Sequence, residues 1–253
     1  MDDELETHVL YVSASGDNKN PGTLEAPRKT LKDWNWPEGP VALFLEEGHA
    51  LEALTIPGTV TACQIMPYVS KGHDRAQVAT KVPAAHRPIL AALTASCGIK
   101  AWNLEVSGTV QITTQGAGEK DSVSSLLVHC MVNQDVRWID SVASRLTMRD
   151  CQVTGDLVLT GTGGERVHLQ RTRCREILVD DRTEVELICG STELDPQSER
   201  RGMPVDCCQY TGIRHVVGKA LPSRFLERKK EYGTGLATGP IDIPEFVKES
   251  SHG

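Results

Sequence analysis

Residues 145–153 read Arg145-Leu146-Thr147-Met148-Arg149-Asp150-Cys151-Gln152-Val153. Apolar and polar side chains alternate through the first five positions, and a period of two is that of a β-strand with one buried and one solvent-facing side. Leu146 and Met148 are therefore predicted to face the interior, and Thr147 and Arg149 to face solvent. A cysteine closes the unit two residues later.

Units of the same kind lie on either side of this one. Residues 125–132, 166–174 and 184–189 each begin with the same alternation and end near a cysteine. Aligning Leu127, Leu146, Val167 and Val185 gives spacings of 19, 21 and 18 residues, and periods of about 20 are typical of solenoids whose coils stack in parallel. The alignment predicts a buried interior made of Leu146, Met148, Val167, Leu169, Val185 and Leu187.

A second short strand follows in each unit, at 136–139, 157–159 and 177–179, with turns at 153–156 and 160–164. The same alternation predicts an earlier coil at 99–112 and a first coil that contains 41–45 and 54–56. Helical periodicity is nearly absent from 95 to 190. The sequence therefore predicts an all-β parallel β-helix over residues 37–190.

The chain has eight cysteines, at positions 63, 97, 130, 151, 174, 189, 207 and 208. Cys130, Cys151 and Cys174 fall at similar places in consecutive units, which predicts a column of cysteines along the interior. Stacked strands lie about 4.8 Å apart, but parallel side chains disfavour the dihedral angle of a disulfide, so we expect buried free thiols. The spacing does not match a zinc site, and we expect neither a metal nor a cofactor.

The N-terminal part follows another pattern. Residues 11–31 read Tyr11-Val12-Ser13-Ala14-Ser15-Gly16-Asp17-Asn18-Lys19-Asn20-Pro21-Gly22-Thr23-Leu24-Glu25-Ala26-Pro27-Arg28-Lys29-Thr30-Leu31. A strand is followed by a turn at 20–22, and Pro27 then stands where a first helical residue would lie. Leu31 and Trp34 would share one face of that short helix. Because the open end of a solenoid needs a cover, the helix is predicted to cap it; an ordinary surface helix is the alternative.

This segment resembles the opening segment of right-handed parallel β-helix proteins of the pectin-lyase-like class. Many members of that class bind or cleave polysaccharides, and many others are phage tailspikes or further virion parts. The resemblance covers about the first 35 residues and implies a right-handed coil with a short N-terminal capping helix. It speaks to fold more strongly than to function.

We divide the chain into three regions: 1–36, the first strand and its cap; 37–190, the β-helix; and 191–253, an irregular C-terminal region. Residues 67–88 hold four Lys or Arg, two His and three Pro and are predicted to form a loop that leaves the second coil. The chain is predicted to end in an extended arm that docks onto another subunit, or alternatively folds back over its own last coil. The partner-binding anchors of this arm are Leu221, Phe225, Leu226, Ile241, Ile243 and Phe246.

Composition argues against several classes of protein. The 253 residues carry a net charge of −7 with only 4% aromatic residues, whereas a nucleic-acid coat would need a basic surface. The sequence has no run of 18 apolar residues, which is the length that would indicate a membrane span. The acidic start at residues 1–6 lacks the features of a secretory signal. We therefore expect synthesis in a host cytoplasm, and neither nucleic acid nor membrane as a partner.

Candidate catalytic residues are few. Enzymes of the class that the N-terminal segment resembles use carboxylate-bound calcium with a basic residue, or clustered aspartates, and of the aspartate motifs only the pair Asp180-Asp181 is complete here. Asp150 and Asp156 could also supply the two carboxylates that a hydrolase needs, although turns favour aspartate in any case. Trp102 and Trp138 lie on predicted strands, where each would either stack on a sugar or lie buried under a loop.

These observations favour a non-enzymatic phage virion structural protein, either a capsid decoration or a tail-associated β-helix protein, located in the virion. The expected partners are other copies of the chain and a capsid or tail protein, with surface polysaccharide as a further candidate. The alternatives are a tailspike-like polysaccharide depolymerase, in which Asp180 and Asp181 would be catalytic, and a carbohydrate-binding module.

Overall fold

The computed structural model describes residues 6–69, 77–78, 82–113, 124–139, 144–160, 164–175, 177–180, 184–190, 192–194, 204–205 and 213–217. Side chains are described as far as Leu178, except at 77–78 and 164–166. Within these ranges the chain is built of β-strands and connections, and the one helical element is a 3₁₀ turn at Ala84–His86.

The strands form three sheets, which we call sheets A, B and C. The strands of sheet A are β1 His8–Val12, β2 Gly39–Glu46, β5 Val60–Val69, β9 Gly98–Trp102, β12 Ser124–Val128, β15 Arg145–Arg149, β18 Gly164–Gln170 and β21 Glu184–Gly190. They pair in that order and in parallel, and β6 Gln77–Val78 adds to the end of β5 in the antiparallel sense.

Sheets B and C are made of shorter strands. Sheet B holds β3 Ala50–Leu51, β7 Ile89–Leu90, β10 Glu105–Val106, β13 Met131–Val132, β16 Gln152–Val153, β19 Arg173–Cys174 and β22 Thr192–Leu194, with β23 Pro204–Val205 added antiparallel. Sheet C holds β4 Leu54–Ile56, β8 Leu93–Ala95, β11 Val110–Thr113, β14 Val136–Ile139, β17 Leu157–Thr160, β20 Ile177–Asp180 and β24 Ile213–Val217.

From β2 onward the chain passes through sheets A, B and C in turn, and each strand pairs with its counterpart in the previous coil. The predicted all-β architecture of stacked parallel sheets is therefore confirmed. Strands are also found at each of the predicted positions in the first coil, at 41–45 and 54–56, and in the coil at 99–112. One continuous hydrophobic core runs through the coils from Leu10 to Ile177.

The register of sheet A differs from the alignment drawn from the sequence. Leu127 pairs with Met148, and it is Ser125 that pairs with Leu146, which in turn pairs with Val167. The predicted alignment is thus wrong by two residues at Leu127, and again at Val185, because Val167 pairs with Leu187. The coils from 125 repeat every 21, 21 and 20 residues. Because a shift of two residues keeps the same side of the strand inward, the burial predicted for Leu146, Met148, Val167 and Leu169 is confirmed; the side chains of Val185 and Leu187 lie outside the described ones.

The cysteine column is two residues long rather than three. Cys130 and Cys151 occupy the same position in consecutive coils, and the next coil places Thr172 there. Cys174 lies instead in β19 of sheet B, one residue beyond the partner of Gln152, so the inclusion of Cys174 in the column is wrong. All five described cysteines, at positions 63, 97, 130, 151 and 174, are buried and free, as predicted.

The predicted N-terminal capping helix is wrong, because residues 27–36 contain no helix. Arg28 is extended and forms a parallel bridge with Val12. Its N–H donates to Tyr11 O at 3.0 Å, and its carbonyl accepts from Ser13 N at 2.8 Å. The backbone of this segment satisfies the free edge of β1, and an extended residue at position 28 cannot belong to a helix that starts at Pro27.

Apolar residues of the same segment still cover the first coil. Leu31, Trp34 and Trp36 are partly buried and pack against the hydrophobic core. The connection from β5 to β7 includes β6 and the 3₁₀ turn, and Gly48 N–H donates to His86 O of that turn at 2.9 Å. The division of the chain into three regions stays a prediction, because residues 218–253 lie outside the described ones.

Candidate functional site

An apolar row runs along the outer face of sheet A. Tyr11 pairs with Phe44, Phe44 with Met66, and Val128 with Trp102. Trp102 lies beside Met66, because the residues that precede them, Ala101 and Ile65, are partners. Each member is partly exposed and lies next to buried neighbours in its own strand, so each points away from the interior. The apolar row, which has one side chain from each of five consecutive strands, is Tyr11, Phe44, Met66, Trp102 and Val128.

The first coil fixes the aromatic end of this row. The rings of Tyr11 and Phe44 stack with centroids 4.8 Å apart, and Tyr68 meets Tyr11 edge-on at 5.3 Å. Tyr68 is buried, and this burial, reinforced by the carboxylate of Glu46, raises its pKa to about 12. Glu46 accepts hydrogen bonds from Ser13 Oγ at 2.6 Å and from Ala14 N at 2.9 Å. The rings of Tyr11, Phe44 and Tyr68 therefore pack against one another.

The outer face becomes basic beyond Val128. Arg149 pairs with Val128 and continues the line of the row, and Arg145 is exposed in the same strand. His168 lies between them on the next strand. Its pKa is lowered by burial and by the charges of Arg149 and Arg145, so the imidazole stays neutral near pH 7. An apolar strip thus leads into a cationic one on a single sheet face.

Three described aspartates on neighbouring coils are each bound by an arginine. Asp150 accepts two hydrogen bonds from Arg171, one of them from Nη2 at 2.8 Å. Asp156 accepts two from Arg175, one of them from Nε at 2.8 Å.

The third aspartate, Asp135, accepts from Arg137 Nη2 at 3.2 Å and also from the backbone N–H of Asp156 at 3.0 Å. The guanidinium of Arg171 lowers the pKa of Asp150, so this carboxyl stays ionised near neutral pH. A general acid must be protonated at working pH, which Asp150 is not. These aspartates hold corners of the coils together.

The structure separates the two tryptophans for which the sequence leaves either stacking on a sugar or burial open. Trp138 lies in β14 with no exposed surface, and its indole N–H finds no acceptor among the described residues. Of the two alternatives for Trp138, burial is therefore confirmed and stacking on a sugar is excluded, since the side chain is part of the interior. Trp102 is partly exposed in the apolar row.

The other predicted site residues are not positioned by the described structure. Asp180 ends β20, where its backbone pairs with Val217 of β24, but its side chain lies outside the described ones, as does all of Asp181. The proposed docking anchors also lie outside the described residues: Leu221, Phe225, Leu226, Ile241, Ile243 and Phe246. Their roles stay predictions.

A cleft at the N-terminal end was not predicted from the sequence. It is an open cavity of about 570 Å³ between the β1–β2 connection and the β4–β5 connection, lined by Trp34, Asn35, Trp36, Pro37, Glu38, Pro57 and Thr59. The sequence signal is the pair Trp34 and Trp36, of which the sequence predicts that Trp34 lies on the short capping helix. The contribution of residues 57–59 needs the stacking of the first two coils and is not visible in the sequence.

In the described part of the chain, no group of three His, Cys, Asp or Glu residues could hold a metal ion. No helix found there is long and apolar enough to cross a membrane. Comparison with models of protein families, with curated proteins and with solved structures finds no match.

Proposed function

We propose that this protein is a non-enzymatic virion structural protein whose β-solenoid docks onto neighbouring subunits through the apolar row of sheet A. The observation that supports this best is the register of the row, in which five partly exposed apolar side chains from consecutive strands form one strip. Contiguous apolar strips on protein surfaces mark interaction sites more often than isolated apolar residues do.

The charge distribution favours another copy of the chain as the occupant of the row. Exposed Arg145 and Arg149 stand at the end of the strip, whereas the whole chain carries a net charge of −7. A second copy therefore offers acidic surface to these arginines, and complementary charges of this kind fix register and speed association. A capsid or tail protein would be the further partner that brings the assembly into the virion.

The arginine-bound aspartates support a non-enzymatic role. Glycoside hydrolysis needs one carboxylic acid and one free carboxylate across the scissile bond. Asp150 and Asp156, the described carboxylates that the sequence offers for this chemistry, are both engaged by arginine. Their chemistry is that of structural ion pairs.

A right-handed coil with a covered N-terminal end and a C-terminal docking arm is part of the proposed structure. Parallel strand connections are right-handed in nearly all proteins, which supports a right-handed coil of the pectin-lyase-like kind. In this proposal the segment that pairs with β1 acts as the N-terminal cap without a helix, and the residues from about Lys219 onward form the docking arm.

A pair of valine substitutions tests the docking surface. Val128 in the apolar row and Val158 on the outer face of sheet C are both partly exposed and both lie within the coils. We expect Val128→Glu to shift the oligomer toward monomer in mass photometry, and Val158→Glu to leave the mass distribution unchanged, with circular dichroism as the check on folding. A monomeric parent protein, or equal effects of the two substitutions, would count against docking through this row.

The depolymerase alternative is tested separately. The proposal predicts that incubation with host capsule or lipopolysaccharide releases no reducing ends. Sugar release that disappears in Asp181→Asn would replace the proposal with the enzymatic alternative.

A further inference from the structure

The open cleft at the N-terminal end has the composition of a binding site. Its volume of about 570 Å³ is within the range of small-molecule pockets, which combine aromatic walls with a few polar groups. Two of the four tryptophans of the chain, Trp34 and Trp36, lie in its wall. Asn35, Glu38 and Thr59 add an amide, a carboxylate and a hydroxyl.

The wall of the cleft is held in place before any ligand arrives. The guanidinium of Arg28 lies 4.9 Å from the centre of the Trp34 ring, a cation–π contact, and the backbone N–H of Trp34 donates to Leu31 O at 3.2 Å. Trp34 and Trp36 also pack against the hydrophobic core. Gly39 N–H donates to Thr59 O at 3.1 Å and joins the two connections that form the cleft. A pre-formed wall lowers the entropy that binding must overcome.

The polar side chains of the cleft are available to a ligand. Asn35, Glu38 and Thr59 are exposed, and within the described residues none of their side chains takes part in a hydrogen bond. Together they offer donors and acceptors to a ligand rich in hydroxyl groups. The parts of the Trp34 and Trp36 rings that line the cleft offer apolar surface to the C–H groups of the same ligand.

We propose that this cleft binds a neutral saccharide. The carboxylate of Glu38 disfavours an anionic sugar, because like charges in a site repel each other. A quaternary ammonium ligand would need several free aromatic faces, and Arg28 already covers one face of Trp34. This inference is independent of docking through the apolar row, so failure of either leaves the other standing.

Titration calorimetry with hexasaccharides of glucose, N-acetylglucosamine and mannose tests the cleft, with hexagalacturonate and choline chloride as the anionic and cationic probes. We expect at least one neutral hexasaccharide to bind, and hexagalacturonate and choline to bind at least tenfold more weakly. Absence of binding by all three neutral probes, or tighter binding of choline or hexagalacturonate, would overturn the proposal.

Substitutions then locate the site. Trp36→Ala is expected to weaken binding of the neutral hexasaccharide at least tenfold, whereas Trp102→Ala, in the apolar row, is expected to leave it unchanged. Because Trp36 also packs against the core, the exposed pair Asn35→Ala and Glu38→Ala provides a second test that leaves the core intact, with an expected loss of at least threefold for each. Unchanged binding in both of these variants, or loss in Trp102→Ala, would overturn the assignment to the cleft.

Discussion

Asp150 shows how a single residue holds the corner between sheets A and B. This corner repeats in four coils, and the residues at its tip, Asn103, His129, Asp150 and Arg171, have φ angles of 50°, 53°, 53° and 46°. Asparagine, aspartate and histidine tolerate this left-handed region better than other residues. The side chains then stack along the solenoid axis, so Asp150 meets Arg171 from the next coil and lies 4.0 Å from His129 Nε2 of the previous one.

Asp150→Asn should destabilise the protein by about 1 kcal/mol at pH 7, since a charged hydrogen-bonded pair becomes a neutral contact while the backbone conformation is kept. Arg171 lowers the pKa of folded Asp150 below its unfolded value. The stabilisation is therefore complete above the unfolded pKa of about 3.9, and it is lost as the pH falls through the folded pKa. Urea unfolding at pH 7 and pH 3 measures this: the difference between parent and variant should shrink at pH 3.

Asp33→Asn is the matched control for this prediction. Asp33 also has a positive φ, of 59°, is exposed, and has no arginine partner among the described residues. We expect it to change stability by less than about 0.5 kcal/mol. An equal loss in both variants would attribute the effect to the backbone rather than to the ion pair.

The buried thiols differ in whether a hydroxyl could replace them. Cys151 Sγ lies 3.3 Å from Leu127 O and 3.2 Å from Arg149 O, and Thr172 Oγ1 makes the same two kinds of contact one coil later, both at 3.2 Å. Cys151→Thr should therefore be nearly neutral. Cys174 is buried, its pKa is raised to about 12 mainly by that burial, and its thiol has no acceptor among the described residues.

Cys174→Thr should accordingly destabilise the protein by about 1–3 kcal/mol, because it buries a hydroxyl without a partner. Thermal unfolding of the two cysteine variants side by side tests this. A larger loss of melting temperature in Cys151→Thr than in Cys174→Thr would contradict the assignment of Thr172, rather than Cys174, to the column.

At the scale of the elements, the turn before β17 leaves no room for a side chain. A methyl group added to Gly155 would lie 2.7 Å from Gln134 C and 2.8 Å from Gln134 O, whereas one added to Gly58 would find its nearest atoms at 3.8 Å. Gly155→Ala should cost about 1–3 kcal/mol through the forced shift of the coil below. Gly58→Ala should be neutral or stabilise by up to about 1 kcal/mol. Chemical denaturation of both variants tests this prediction. Equal denaturation midpoints for Gly155→Ala and Gly58→Ala would contradict the close stacking at Gly155.

The inward and outward faces of sheet A should respond differently to the loss of a leucine side chain. Leu169 has no exposed surface and lies in the core, so Leu169→Ala should cost about 2–5 kcal/mol. Leu126 is partly exposed on the outer face, and Leu126→Ala should cost about 1 kcal/mol or less. Similar denaturation midpoints for the two variants would show that the assignment of inner and outer faces is wrong.

The strands were predictable because alternation of period two survives in each coil, but the exact register was not. A slip of two residues preserves the buried face, so nothing in the sequence distinguishes Leu127 above Leu146 from Leu127 above Met148. The helix was mispredicted because Pro27 and the spacing of Leu31 and Trp34 satisfy local rules. The backbone of this segment can instead hydrogen-bond to the free edge of β1, and in the structure Arg28 pairs with Val12 there.

On the scale of the whole molecule, a solenoid brings together residues from separate coils into rows and clefts. The apolar row joins positions 11 to 128, and the cleft joins 34–38 to 57–59. Predicting which residues meet in the row or the cleft requires the number of residues in each coil and in the loops that leave it. These numbers vary along the chain. The sequence therefore indicates which residues are unusual, such as the two tryptophans near position 35, but not which of them become neighbours.

In the proposed function, neighbouring subunits meet at the outer face of sheet A. A cryo-EM map of the assembled protein is the decisive test. We expect density from a second copy against Tyr11, Phe44, Met66, Trp102 and Val128, with acidic side chains facing Arg145 and Arg149. An assembly in which this face is bare and the contacts lie on sheet B or sheet C would contradict it.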